Sequence, residues 1–145
     1  MWTYDYSAET VAEPEAIFDL FRDVATWPRW NPGVESMELD GAFAAGATGT
    51  MKTPGQDPLR MRLLSVEDGR GFEDETEIPG AGVVVRVRHA LSTLSDGRTK
   101  ITYGVTIDGP AADAVGPEIG PEITADFRAV VAALISEAEA ATSRR

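Results

Sequence analysis

The sequence predicts an α+β fold: a curved antiparallel sheet of about six or seven strands wrapped on a long C-terminal helix, with two short helices after the first strand. Three observations predict it. Short segments of alternating apolar and polar residues are separated by Gly, Asp and Pro turns. The apolar period then changes to three or four from Val115 onward. Between the first strand and the meander lies the knuckle Trp27-Pro-Arg-Trp30-Asn31-Pro32, which sets two large flat side chains on a short connector. Side chains of this kind cap something hollow or hydrophobic.

Trp2, Tyr4, Tyr6 and Ala8 alternate with Thr3, Asp5, Ser7 and Glu9, which predicts the first strand. Glu13-Pro14-Glu15 opens a helix, with proline in the first turn and acids at the positive end of the dipole. Ile17, Phe18, Leu20, Phe21 and Val24 form its apolar stripe; Pro28 is expected to stop it and Pro32 to prevent its resumption. Trp27 is expected to anchor the connector on the sheet, and Trp30 with Asn31 to line an entrance. Strands are predicted over 34–39, 48–53, 59–66, 71–78, 83–94 and 98–108, with a bulge near Leu63 where the alternation loses phase. Val115, Ile119, Ile123, Phe127, Val130, Leu134 and Ala138 share one helical face. Pro117 and Pro121 predict a kink there, or a short turn before a main helix from about Glu122.

The chain has 145 residues, which predicts one domain over 1–145. A net charge of -11 argues against nucleic acid and anionic membranes as partners. The absence of cysteine excludes disulfides and thiol catalysis. No basic segment followed by an apolar run marks a leader, and no apolar stretch approaches the roughly 20 residues that span a bilayer. The expectation is a cytoplasmic protein without stable membrane insertion, a monomer or homodimer. One histidine and scattered carboxylates give no metal-ligand cluster, so neither metal nor cofactor is expected. Gly46-x-x-Gly49 lacks the lysine of a phosphate loop, and no serine or threonine sits in a nucleophile elbow.

The chain resembles the START-like superfamily, also called SRPBCC or helix-grip proteins, and within it the polyketide cyclase/dehydrase and lipid-transport group. The residues that carry the resemblance are Glu13-Pro-Glu15, Phe18, Leu20, Asp23-Val-Ala-Thr-Trp27-Pro-Arg-Trp30-Asn31-Pro32, Gly46-x-x-Gly49-Thr50, Val66-Glu-Asp-Gly69-Arg70 and Thr106-Ile-Asp-Gly-Pro110. It spans nearly the whole chain and implies an internal cavity between sheet and long helix. It implies no single activity, because the superfamily includes cyclases, lipid carriers, hormone receptors and chaperone cofactors. Two prolines in the C-terminal helix depart from its usual uninterrupted form.

Alternation assigns the faces of the strands. Val83, Val85, Val87, His89 and Leu91 point inward, as do Phe72, Asp74, Thr76 and Ile78, then Leu59, Met61 and Leu63, and Ile101, Tyr103, Val105 and Ile107. Arg60, Arg62, Glu73, Glu75, Glu77, Arg86 and Arg88 fall on the outer face as a charge ladder. Met61, Leu63, Phe72, Val85, Val87, Val105 and Phe127, with Trp30 and Asn31, are the candidate ligand-binding residues. If Ile78 pairs with Val83, and Leu94 with Arg98, then Phe72 faces His89, His89 faces Tyr103, and Asp74 is diagonal to His89. His89, Asp74 and Tyr103 are the candidate catalytic residues: the carboxylate orients and charges the imidazole, which acts as general acid or base, and the phenol polarises a carbonyl. The plainer reading is that His89 is a satisfied polar group on the cavity wall. Two functions follow: binding or transport of a hydrophobic small molecule such as a lipid, polyketide or isoprenoid-like compound, or a polyketide cyclase/dehydratase-type enzyme. An accessory protein acting through its acidic surface is a third.

Overall fold

The computed structural model describes residues 1–143. The strands are β1 Trp2–Thr10, β2 Ser36–Leu39, β3 Thr48–Lys52, β4 Leu59–Glu67, β5 Gly71–Ile78, β6 Val83–Thr93 and β7 Thr99–Asp108. They form one seven-stranded antiparallel sheet in the order β1-β7-β6-β5-β4-β3-β2. Every pair except β1–β7 joins sequence neighbours, as a meander of short turns requires. The expected registers are present: Ile78 opposes Val83, Phe72 opposes His89, and His89 opposes Tyr103. The register of β4 against β5 shifts between Leu63 and Ser65, at the predicted bulge.

On the outer face Glu75 stands between Arg62 at 3.3 Å and Arg86 at 2.8 Å. Arg60 departs from the ladder. It faces Thr50 across β3 and β4 and pairs with Asp40 at 2.6 Å, because the β4–β5 pairing stops one residue short of it, at Met61–Thr76. Exposed pairs of this kind contribute about 0–1 kcal/mol each, so the ladder fixes register more than it stabilises.

The first helix, α1, spans Pro14–Arg22 and buries Ile17, Phe18 and Phe21. It ends earlier than expected, and Pro28 does not stop it. A 3-10 turn at Val24–Thr26 intervenes, and Pro28 instead occupies the first turn of the short helix α2, Trp27–Trp30. There its missing N–H costs no intrahelical bond.

The C-terminal segment forms α3, Ala112–Thr124, and α4, Phe127–Ser143. The break falls at 125–126, not at the prolines, and the main helix begins at Phe127 rather than near Glu122. Pro117 and Pro121 lie inside α3 on its exposed side. The carbonyls their absent N–H groups leave free, those of Asp113 and Pro117, therefore face solvent. The opposite side of α3 carries Gly116 and Gly120, both buried. An added Cβ would lie 2.7 Å from Trp2 Cβ at Gly116 and 2.6 Å from the Trp2 indole at Gly120. The glycines let α3 lie directly on β1, and that contact holds a proline-bearing helix in place. Beyond the break, α4 buries Val130, Val131, Leu134 and Ala138 against α1, α2 and β1. Each fully buried aliphatic side chain of this size stabilises by roughly 1.5–3 kcal/mol.

Candidate functional site

The inner face of the sheet, α2 and the α3–α4 break enclose a cavity of about 410 Å³. Each wall has a sequence reason. Strand alternation turns Phe72, Asp74 and Thr76 of β5, and Val85, Val87 and His89 of β6, toward it. Tyr103 comes from β7, Trp27 and Trp30 from α2, and Phe127 from the first turn of α4.

Both knuckle indoles are buried and both border the cavity. Trp27 Nε1 donates to the Phe21 carbonyl at 3.0 Å, and Trp30 Nε1 donates to Thr26 Oγ1 at 3.2 Å. With their polar edges satisfied, the rings present only apolar faces inward. Asn31 borders the cavity too, its Oδ1 accepting from the Gly33 N–H at 2.9 Å.

The three candidate catalytic residues all border the same cavity. The His89 ring stacks on Phe72, with centroids 4.0 Å apart, and meets Tyr103 edge-on at 4.6 Å. Its Nδ1 donates to the Phe72 carbonyl at 3.3 Å, so the neutral imidazole carries its proton there. No hydrogen bond or ion pair joins Asp74 to His89 among the described residues. Burial holds the imidazole pKa down at about 3, against a smaller opposing effect of the Phe72 hydrogen bond. Burial, and then the charge of Glu73, push Asp74 the other way, up to about 7. Asp74 is half-buried and borders the cavity, so it is not packed solid. Tyr103 is pushed up, by burial and then by Asp74, and its hydroxyl is buried with no hydrogen-bond partner.

Of the other candidate ligand-binding residues, Phe72, Val85, Val87, Trp30 and Phe127 border the cavity. Met61, Leu63 and Val105 are buried but do not reach it; they pack the core to the side. Alternation turns Thr76 inward but does not mark Gln56, Glu122 and Asp126; all four border the cavity. Glu122 and Asp126 had a legible signal. They are four apart, one turn on a helix, and flank Ile123 and Phe127 of the apolar stripe.

The chain matches, over residues 1–139, the family described as polyketide cyclase / dehydrase and lipid transport. It belongs to that family. Norcoclaurine synthase from Thalictrum flavum, solved as a point mutant with a transition-state analogue, has the same fold with a TM-score of 0.75 at 16% identity, over 97% of this chain and 95% of that one. A Mesorhizobium loti protein gives a TM-score of 0.74 at 13% identity, over 94% and 96% of the two chains. Ara h 8.0201 gives 0.67 at 17% identity, over 92% and 97%. These likenesses show that the chain shares the fold of these three proteins. A search of curated proteins returns no match. Among the described residues, no helix is long and apolar enough to cross a membrane, and no group of three or more His, Asp or Glu is arranged to hold a metal.

Proposed function

We propose that the protein binds a hydrophobic small molecule in the cavity between sheet and C-terminal helices. The observation that carries this reading is an apolar cavity of about 410 Å³ whose lining includes Tyr103, a residue with a buried, unpartnered hydroxyl. Ligand sites have this form: mostly apolar walls, a few polar groups that orient the guest, and volumes of roughly 300–1,000 Å³. The volume lies at the lower end of that range and favours a compact guest over a long-chain diacyl lipid. Titration with the neutral probe N-phenyl-1-naphthylamine tests it. One probe should bind per chain and quench the tryptophan emission, and Val87→Trp should block it by filling the cavity. Equal binding by the filled variant rejects the reading.

A second reading, a cyclase or dehydratase, is favoured by one observation: Asp74 holds its proton up to about 7, next to a phenol and an apolar wall. A carboxyl so placed exchanges a proton near neutral pH. In that reading Asp74 takes a proton from carbon beside a carbonyl and Tyr103 donates to the carbonyl oxygen, while neutral His89 positions the Tyr103 ring. Asp74→Asn should then abolish turnover of a polyketide-type substrate while leaving its binding within about twofold; retained turnover rejects it.

A further inference from the structure

Three carboxyl groups border the cavity, beside one histidine and one phenol. Asp74 lies on the inner face of β5, and Glu122 and Asp126 flank the α3–α4 break. His89 is held neutral by burial, and no lysine or arginine borders the cavity among the described residues. A bound carboxylate or phosphate would find no cation and three acids. The rest of the wall is unusually aromatic: Trp27, Trp30, Phe72, Tyr103 and Phe127 all contribute. Aromatic faces attract a desolvated cation, most strongly indole.

A second feature points the same way without depending on the acids. Tyr103 is 3% exposed and its hydroxyl has no partner in the protein. A buried polar atom left unpaired needs an explanation, and a guest that hydrogen bonds to it supplies one. A phenol oxygen accepts from an ammonium N–H as readily as from any donor. The Asp74 carboxyl, with no hydrogen bond to any described residue, lies close enough to Tyr103 to influence its ionisation.

We propose that the cavity selects a cationic amphiphile: a compact apolar body carrying a protonated amine, its ammonium held by Asp74 and Tyr103 and drawn in past Glu122 and Asp126. This rests on the reading that the cavity binds an apolar guest, and names the head group that guest carries. The net charge of -11 raises the local concentration of such a ligand at the entrance. Neutral His89 adds no repulsion.

Three probes of equal tail length test the head group: decylammonium, decanol and decanoate, titrated calorimetrically at pH 8 and low salt. Decylammonium should bind about tenfold or more tighter than decanol, the size of one desolvated cation–aromatic contact, and decanoate more weakly than decanol. Decanol or decanoate binding as tightly as decylammonium overturns the proposal but leaves the cavity reading standing. Saturable binding of none of the three removes both. Asp74→Asn should cut the preference for decylammonium over decanol by about tenfold, with decanol itself unchanged. Should Asp74→Asn fail to fold, Glu122→Gln with Asp126→Asn, at partly or fully exposed positions, should reduce the same preference. The charge-matched control Glu38→Gln with Glu67→Gln, at positions that do not border the cavity, should leave it intact. A control that loses as much as the site variants shows attraction by overall charge alone and overturns the proposal.

Discussion

His89 lies flat on Phe72, with ring centroids 4.0 Å apart and planes 9° from parallel, while its Nδ1 donates to the carbonyl of that same residue. One residue thus supplies both the hydrophobic surface and the acceptor for the histidine. Gly71 makes the approach possible: it has φ +139°, and an added Cβ would lie 1.9 Å from the His89 carbonyl oxygen. The pairing leaves the imidazole no need of a carboxylate, and burial opposes its charging.

His89 should therefore stay neutral across the physiological range. Its folded pKa, about 3, is depressed below the ordinary 6.5. The stability this gives is fully present above about pH 6.5 and is lost as pH falls toward 3, on the order of 4–5 kcal/mol in all. Imidazole proton shifts followed by NMR should not move between pH 8 and 5. A midpoint above 5 shows an environment open to water and refutes the assignment.

Asp74 carries the opposite sign. Its folded pKa, about 7, is raised above the ordinary 3.8. Folding then favours the protonated form: the penalty is absent below about pH 4, grows as pH rises, and is complete above 7, at most about 4 kcal/mol. Asp74→Asn, which imitates the protonated form, should raise the urea midpoint at pH 8 and leave it unchanged at pH 3.5. Between pH 4 and 6.5 the two groups cancel in the wild type. The unfolded chain has charged His and Asp, the folded chain neutral ones, and the number of bound protons is the same. Stability measured there should show no slope from this pair, and each single substitution should reveal one.

The strand pairings that put these groups together were legible in the sequence because turn chemistry and two-residue alternation fix register twice over. A slip at Pro79-Gly-Ala-Gly82 would have turned Val83, Val85 and Val87 outward. The environment of Asp74 was not legible. Whether a diagonal neighbour makes contact depends on side-chain direction, and His89 turns toward a backbone carbonyl that no pattern marks. Met61, Leu63 and Val105 had the right face but not the right depth, since alternation separates inside from outside and says nothing of core against cavity. The Pro117 and Pro121 expectation failed for a different reason: local propensity was overridden by the packing of Gly116 and Gly120 on Trp2, a contact between opposite ends of the chain.

Tyr103→Phe should separate structure from binding. The hydroxyl is buried and unpaired in the empty protein, so deleting it removes a desolvation cost of about 1–3 kcal/mol and leaves the ring contacts with His89 and Phe127 in place. The melting temperature of the empty variant should rise. Its affinity for decylammonium should fall by more than that for decanol. A lower melting temperature would mean that the hydroxyl has a partner in solution, such as an ordered water.

Gly120→Ala sets two effects against each other. In an exposed helix, alanine in place of glycine gains about 0.5–1 kcal/mol. Here the new Cβ lies 2.6 Å from three atoms of the Trp2 indole, and relief requires moving either a rigid ring or α3 itself. Overpacking of this kind costs about 1–3 kcal/mol, so the net change should be destabilising. Because α3 carries Glu122 and leads into Phe127, decylammonium binding should weaken as well. In a Trp2→Ala background the clash is gone, and the same Gly120→Ala change should become stabilising. Denaturant midpoints of the four proteins in this cycle give the coupling directly. A Gly120→Ala effect of the same size and sign in both backgrounds would show that Trp2 does not hold α3 against the sheet.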